Sequence, residues 1–168
     1  AWLTKIEKDR PYITLKVATS LDGKVAAANG SSKWITNEYS RSDVARLRSE
    51  CDAIVTGTGT VIADDPALTV RGVDRVGTKF APTRVILGKR KIPTGAKVLD
   101  GDAPTIHLET NDLRELIELA RSKGWNRLLI EAGPTLTGAF LSAGLFDELF
   151  LYQAASLLGG ANDFTRGL

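Results

Sequence analysis

The sequence has no methionine, one cysteine and one histidine among its 168 residues. A lone Cys51 cannot close an intrachain disulfide, and Cys51 with His107 is too small a ligand set for zinc. Charge of one sign is also missing, since 22 Lys and Arg stand against 20 Asp and Glu, a formal net charge of +2. That balance lacks the basic excess of a nucleic-acid binder, although a few well-placed Arg or Lys can still hold a small anion. No apolar run is long enough to span a bilayer, and Ala1-Trp2-Leu3-Thr4-Lys5 is too short and mixed for a signal peptide. The setting implied is reducing and cytoplasmic, with neither membrane nor nucleic acid as partner. Asn29-Gly30-Ser31 then reads as a turn rather than a glycosylation site. With no methionine even at position 1, the chain reads as a piece of a longer protein.

What is present is the composition of one ordinary folded domain, 43% hydrophobic and 25% charged. Ile13, Leu15 and Val17 alternate with Thr14 and Lys16, which predicts a strand over Tyr12–Ala18. A helix capped by Thr36 or Asn37 is predicted to run to Cys51, with Val44, Leu47 and Cys51 on its inner face. Short strands follow at 53–56, 84–87, 105–108, 127–131 and 148–153. Between them lie a helix capped by Thr110 or Asn111 and ending at Gly124, and one begun by Pro134 and stopped by Gly144. Strand and helix alternating at short spacing predict an α/β fold, a mainly parallel central sheet with helices on both faces.

In such a sheet, ligands bind beyond the carboxyl ends of the strands. Two strands end in small Gly-bearing turns that feed helices, Gly57-Thr58-Gly59-Thr60 and Gly133-Pro134-Thr135-Leu136-Thr137-Gly138. Backbone N–H groups with hydroxyls and no bulky Cβ suit an anion, and two such turns at one edge suit a dinucleotide. Each turn alone is better explained as a tight connection, only their pairing favours a ligand, and neither the G-x-G-x-x-G nor the P-loop pattern is met. Glu131 closes the apolar run Leu128-Leu129-Ile130, where a half-buried carboxylate can grip a ring's N–H groups or cap the next helix. Trp34 offers either a flat face to a ring or a core residue, and His107 and Cys51 read as structural.

Several segments together resemble one reductase domain: Arg10-Pro11-Tyr12-Ile13-Thr14-Leu15-Lys16, Ser20-Leu21-Asp22-Gly23-Lys24, Ser32-Lys33-Trp34-Ile35-Thr36, the block from Gly59 through Ala63-Asp64-Asp65-Pro66-Ala67-Leu68-Thr69 to Arg71, Glu131-Ala132-Gly133-Pro134-Thr135-Leu136, and Leu157-Leu158-Gly159-Gly160. In the family's order, they are similar to the C-terminal domain of the bacterial bifunctional riboflavin-biosynthesis deaminase–reductases. The resemblance implies a dihydrofolate-reductase-like fold and NADPH-dependent reduction of 5-amino-6-(5-phosphoribosylamino)uracil, with hydride reaching ribose C1′ of the ring-opened imine. It assigns the cofactor to Ala18, Trp34, Thr60, Asp64 and Gly133, Pro134, Thr135, Leu136, Thr137, Gly138 and Ala139. The phosphorylated pyrimidine falls to Ser32, Arg48, Leu68, Arg71 and Glu131, the two arginines and Ser32 suiting its phosphate. Lys24 and Asp64, with Glu131, are the catalytic candidates. The family's zinc-binding deaminase motif is absent, its last strands are expected to be missing here, and it implies a homodimer or larger homo-oligomer. Lys33, Lys89 and Arg90 can each reach a 2′-phosphate, and nothing in the sequence selects among them. A same-fold reductase of another substrate such as dihydrofolate, or a catalytically silent NADPH-binding module, are the alternatives.

Overall fold

The computed structural model describes residues 1–27, 38–70 and 81–164. The alternating segment after Pro11 forms β1 (Tyr12–Thr19), preceded by a short helix α1 (Trp2–Lys8). Next come α2 (Glu38–Ser49), β2 (Ala53–Gly57), α3 (Thr58–Asp64) and β3 (Thr83–Leu87). The chain continues through β4 (Thr105–Leu108), α4 (Leu113–Ser122), β5 (Arg127–Ile130), α5 (Pro134–Ser142) and β6 (Glu148–Gln153). The strands make one six-stranded sheet in the order β4-β3-β2-β5-β1-β6, every pair parallel.

Strand residues alternate between two cores because successive side chains leave opposite faces. Ala53, Val55, Val85, Leu87, Leu128 and Ile130 meet Leu113, Leu116, Ile117 and Ala120 of α4 and Phe140 of α5. Ile54, Ile86 and Leu129, one residue out of phase, meet Leu47 of α2, Cys51 just after it, Val61 of α3, and Ile92, Ala96 and Val98. Helices therefore cover both faces. Among the described residues no helix is long and apolar enough to cross a membrane.

The helix ends follow local chemistry. Pro134 sits in the first turn of α5, where its missing N–H costs no hydrogen bond, and Gly144 follows the helix at φ 62°. The cap of α4 is Asp112, whose carboxylate accepts from Arg114 N at 2.9 Å. Of the two residues expected there, Thr110 accepts from the Asp112 amide at 3.0 Å instead, two residues upstream of the cap. The expected caps of α2, Thr36 and Asn37, lie outside the described residues.

Candidate active site

Because all strands run the same way, their carboxyl ends share one edge, and a cleft of about 850 Å³ opens there. Its walls are the end of β1 (Lys16, Val17, Ala18), the β2–α3 turn (Gly57 to Thr60), the residues after β3 (Gly88, Lys89, Arg90) and the β5–α5 turn (Glu131 to Leu136). Arg48 of α2, with Asp64, Pro66 and Leu68, comes in from below α3, and Ala139 from the second turn of α5. The cleft thus gathers Ala18, Arg48, Thr60, Asp64, Leu68, Glu131, Gly133, Pro134, Thr135, Leu136 and Ala139, spread over more than a hundred residues of sequence.

A charged cluster lies on its floor. Arg48 holds Glu131 with two parallel bonds, Nε to Oε1 at 2.6 Å and Nη2 to Oε2 at 2.9 Å. Its remaining nitrogen donates to the Thr69 carbonyl at 2.9 Å. Lys16 Nζ stands 3.9 Å from Glu131 Oε2 and 6.0 Å from the centre of the Tyr152 ring. Burial alone would raise the Glu131 carboxyl, but Arg48 and then Lys16 outweigh it and hold it below the ordinary value. Arg48 is correspondingly shifted up, as burial is outweighed by the charge and hydrogen bonds of Glu131. The three groups together carry one net positive charge.

The two glycine turns form one wall. Gly133 N–H donates to Thr60 Oγ1 at 3.0 Å, so this amide is used between the turns and is not open to an anion as the sequence implied. Helix α5 starts at Gly133 with no side-chain cap, which leaves the amides of Thr135 and Leu136 with donor capacity toward the cleft end. Gly88 adopts φ +131°, and a Cβ there would lie 2.5 Å from Thr58 Oγ1, so both conformation and approach require glycine. Its carbonyl accepts from His107 Nε2 at 2.8 Å, the structural role the sequence assigned to His107. A dinucleotide fits this chemistry: small residues at close approach, uncapped amides and room along the sheet edge.

The wall below α3 is strained. Asp65 and Leu68 have φ 42° and 51°, a region side chains rarely enter, and Leu68 is buried beside the cleft. The strain persists because the loop is held from several sides. Asp65 accepts from Lys97 N at 2.8 Å, and the fully buried Arg84 donates to the Ala67 carbonyl at 3.1 Å. Arg48 fixes the next carbonyl but one.

Not every sequence-assigned residue reaches the cleft. Lys24 pairs with Asp163 at 2.7 Å and bridges its backbone, and it does not line the cleft, although Val25 and Ala26 do. Thr137 and Gly138 are buried within α5, the Thr137 hydroxyl donating to the Ala132 carbonyl at 3.3 Å. Ser32, Trp34 and Arg71 lie outside the described residues. Arg48, assigned to a phosphate, has most of its fork on Glu131. Lys16 was missed, since a lysine in an alternating strand reads as solvent-facing, and only α2 packing under that face shows otherwise. Cys51 is buried core, its thiol pushed up to about 12 by burial first and then by Glu131.

The RibD C-terminal domain model matches residues 11–167. The riboflavin biosynthesis protein RibD of Mycobacterium tuberculosis is 46% identical over 159 residues, covering 95% of this chain and 46% of that protein. The 2,5-diamino-6-ribosylamino-4(3H)-pyrimidinone 5′-phosphate reductase of Methanothermobacter thermautotrophicus is 36% identical, covering 90% of this chain and 81% of that one. The solved structure of Acinetobacter baumannii RibD superposes with a TM-score of 0.86 at 38% identity, over 97% of this chain and 51% of that one. The chain spans about half the length of the RibD proteins it matches.

Proposed function

The chain belongs to the RibD C-terminal domain family, and from that premise we propose that it reduces a phosphorylated ribosylaminopyrimidine, 5-amino-6-(5-phosphoribosylamino)uracil, with NADPH in riboflavin biosynthesis. The observation that carries the reading is the Lys16–Glu131–Arg48 cluster on the floor of a glycine-walled cleft. A folate has no sugar phosphate for a net-positive floor to hold, which favours the ribosyl phosphate.

When bound, the nicotinamide cofactor supplies a hydride. Thr60, Asp64, Ala18, the α5 amides and Ala139 line its place, with Trp34 added by resemblance. The substrate's N,O-acetal opens at ribose C1′: the C1′–O bond breaks, the ring oxygen takes up a proton and the exocyclic nitrogen gives one up as the C=N bond forms, with no net proton change. A new C–H bond then forms at C1′, the π pair moves to nitrogen, and nitrogen takes a proton, so one hydride and one proton are consumed overall. Lys16 is the group placed to hold and donate a proton at the ribose oxygen, a role that passes to it from Lys24. Glu131, shared by two cations, fixes the Lys16 ammonium and offers its outer lone pairs to the pyrimidine or ribose. Arg48's two uncommitted N–H bonds, with Ser32 and Arg71, serve the phosphate. Leu68 closes the wall against water. Further parts of the reading are self-association and a cytoplasmic setting.

Single-turnover oxidation of NADPH with this uracil, run beside dihydrofolate, tests the reading. Oxidation is expected with the uracil alone, and Lys16→Met is expected to slow it by roughly 10²–10⁴-fold, the usual span for a lost acid–base group. Oxidation with dihydrofolate only, or none despite tight NADPH binding, would overturn it.

A further inference from the structure

Four cations line the cleft: Lys16, Arg48, Lys89 and Arg90. Glu131 neutralises part of the first two. Lys89 and Arg90 are exposed and have no ion-pair partner among the described residues. They follow β3, three strands away from β1 in the sheet order, so they stand at the opposite end of the cleft from Lys16. At about 4.8 Å per strand that separation is roughly 14 Å, enough to put the two ends of an extended dinucleotide over different strands.

Arg90 is also seated. Its guanidinium lies across Gly59 of α3, so close that a Cβ at position 59 would collide with its terminal nitrogen. Gly59 is not in a left-handed conformation and lies inside a helix, where alanine would serve the backbone better. The glycine leaves room for the Arg90 guanidinium where it lies, and a side chain there would make its end move. On the reading of the cleft as a nicotinamide-dinucleotide site, we propose that Arg90, seated over Gly59 and seconded by Lys89, recognises the 2′-phosphate on the adenosine ribose and sets the choice of NADPH over NADH. A planar guanidinium with no carboxylate on it can meet a phosphate with two parallel bonds, which an ammonium cannot. Lys33, equally eligible in the sequence, lies outside the described residues.

The test is calorimetric titration of the chain with adenosine 2′,5′-bisphosphate and with adenosine 5′-phosphate, ligands that differ only in the group at issue. The wild type is expected to bind the bisphosphate roughly ten- to hundredfold more tightly, the range one charge-assisted contact supports. Arg90→Ala should bring the two ligands together, and Arg90→Lys should restore only part of the gap. Gly59→Ala keeps Arg90 but removes its seat, so the gap should also narrow, while Lys91→Ala, outside the cleft lining, should keep it. A wild type that does not distinguish the ligands, or an Arg90→Ala chain that still does, overturns the proposal. Loss in Arg90→Ala with full discrimination in Gly59→Ala overturns the seat. NADPH and NADH titrated alongside separate the outcomes: if neither binds, the dinucleotide reading itself falls, whereas binding of both without discrimination refutes Arg90 alone.

Discussion

Replacing Glu131 by Gln keeps the shape of the side chain and removes the charge shared by Arg48 and Lys16. Removing one partner of a buried pair costs about 3–5 kcal/mol because the other charge is left without its counter-ion. Here the cost is smaller. The Arg48 side chain is 20% exposed and keeps its bond to the Thr69 carbonyl, and the amide oxygen of Gln still accepts. About 2 kcal/mol is the reasoned loss at neutral pH, or roughly 4–8 °C in Tm for a domain of this size. The pH dependence identifies the cause. Glu131 is held below its ordinary value in the folded protein, so its contribution is fully present above the unfolded value of about 4.3 and is lost as pH falls through the folded one. Urea unfolding of wild type and Glu131→Gln should therefore differ by a constant amount from pH 8 to about 5, then converge as the solution is acidified. The double variant Arg48→Met, Glu131→Leu should recover stability beyond the sum of its parts. A difference that does not shrink in acid, or additive losses in the double variant, would refute the charge argument.

Two other perturbations have definite outcomes. Arg84 is wholly buried and donates to the carbonyls of Ala67, Lys97 and Ala103 and to Asp100, so Arg84→Met should lower stability by about 3–5 kcal/mol in urea titrations, since several acceptors lose their partner together; a loss below about 1 kcal/mol would show that the loops hold themselves. Cys51, buried and with its thiol pushed up to about 12, should resist a thiol reagent at pH 8 in the native protein and react fully in guanidinium, and equal rates in both would refute its burial.

Much of the scaffold was legible because its signals are local. Alternation marked β1, apolar runs marked β2, β3 and β5, and Pro134 with Gly144 bounded α5. Helix α1 was not read: it is a single short amphipathic stretch, and Trp2, Leu3 and Ile6 remain exposed. The cap of α4 was misplaced by one or two positions because Thr110, Asn111 and Asp112 are all eligible, and only the hydrogen bonds separate them. In the cleft, residues adjacent to a turn were readable, whereas pairings across the fold were not. Nothing near Lys24 announces Asp163, 139 residues away, and nothing near Arg48 announces that Glu131 occupies its fork. Lys16 needed the sheet's covered face to become visible as a half-buried lysine beside Glu131.

The sheet order also governs how the domain comes to fold. β1, the first of these strands in chain order, has both its neighbours more than a hundred residues later: Tyr12 pairs with Arg127, and Thr14 with Glu148, 134 residues on. A nascent chain can bring β2 and β3 together early but must keep the alternating, apolar β1 unpaired until β5 and β6 emerge. Loop closure over such distances is slow, and the waiting strand exposes an edge that can pair with another chain. The strand that supplies Lys16 and Ala18 to the cleft is thus the last to be secured, and the site and the finished sheet arrive in the same step.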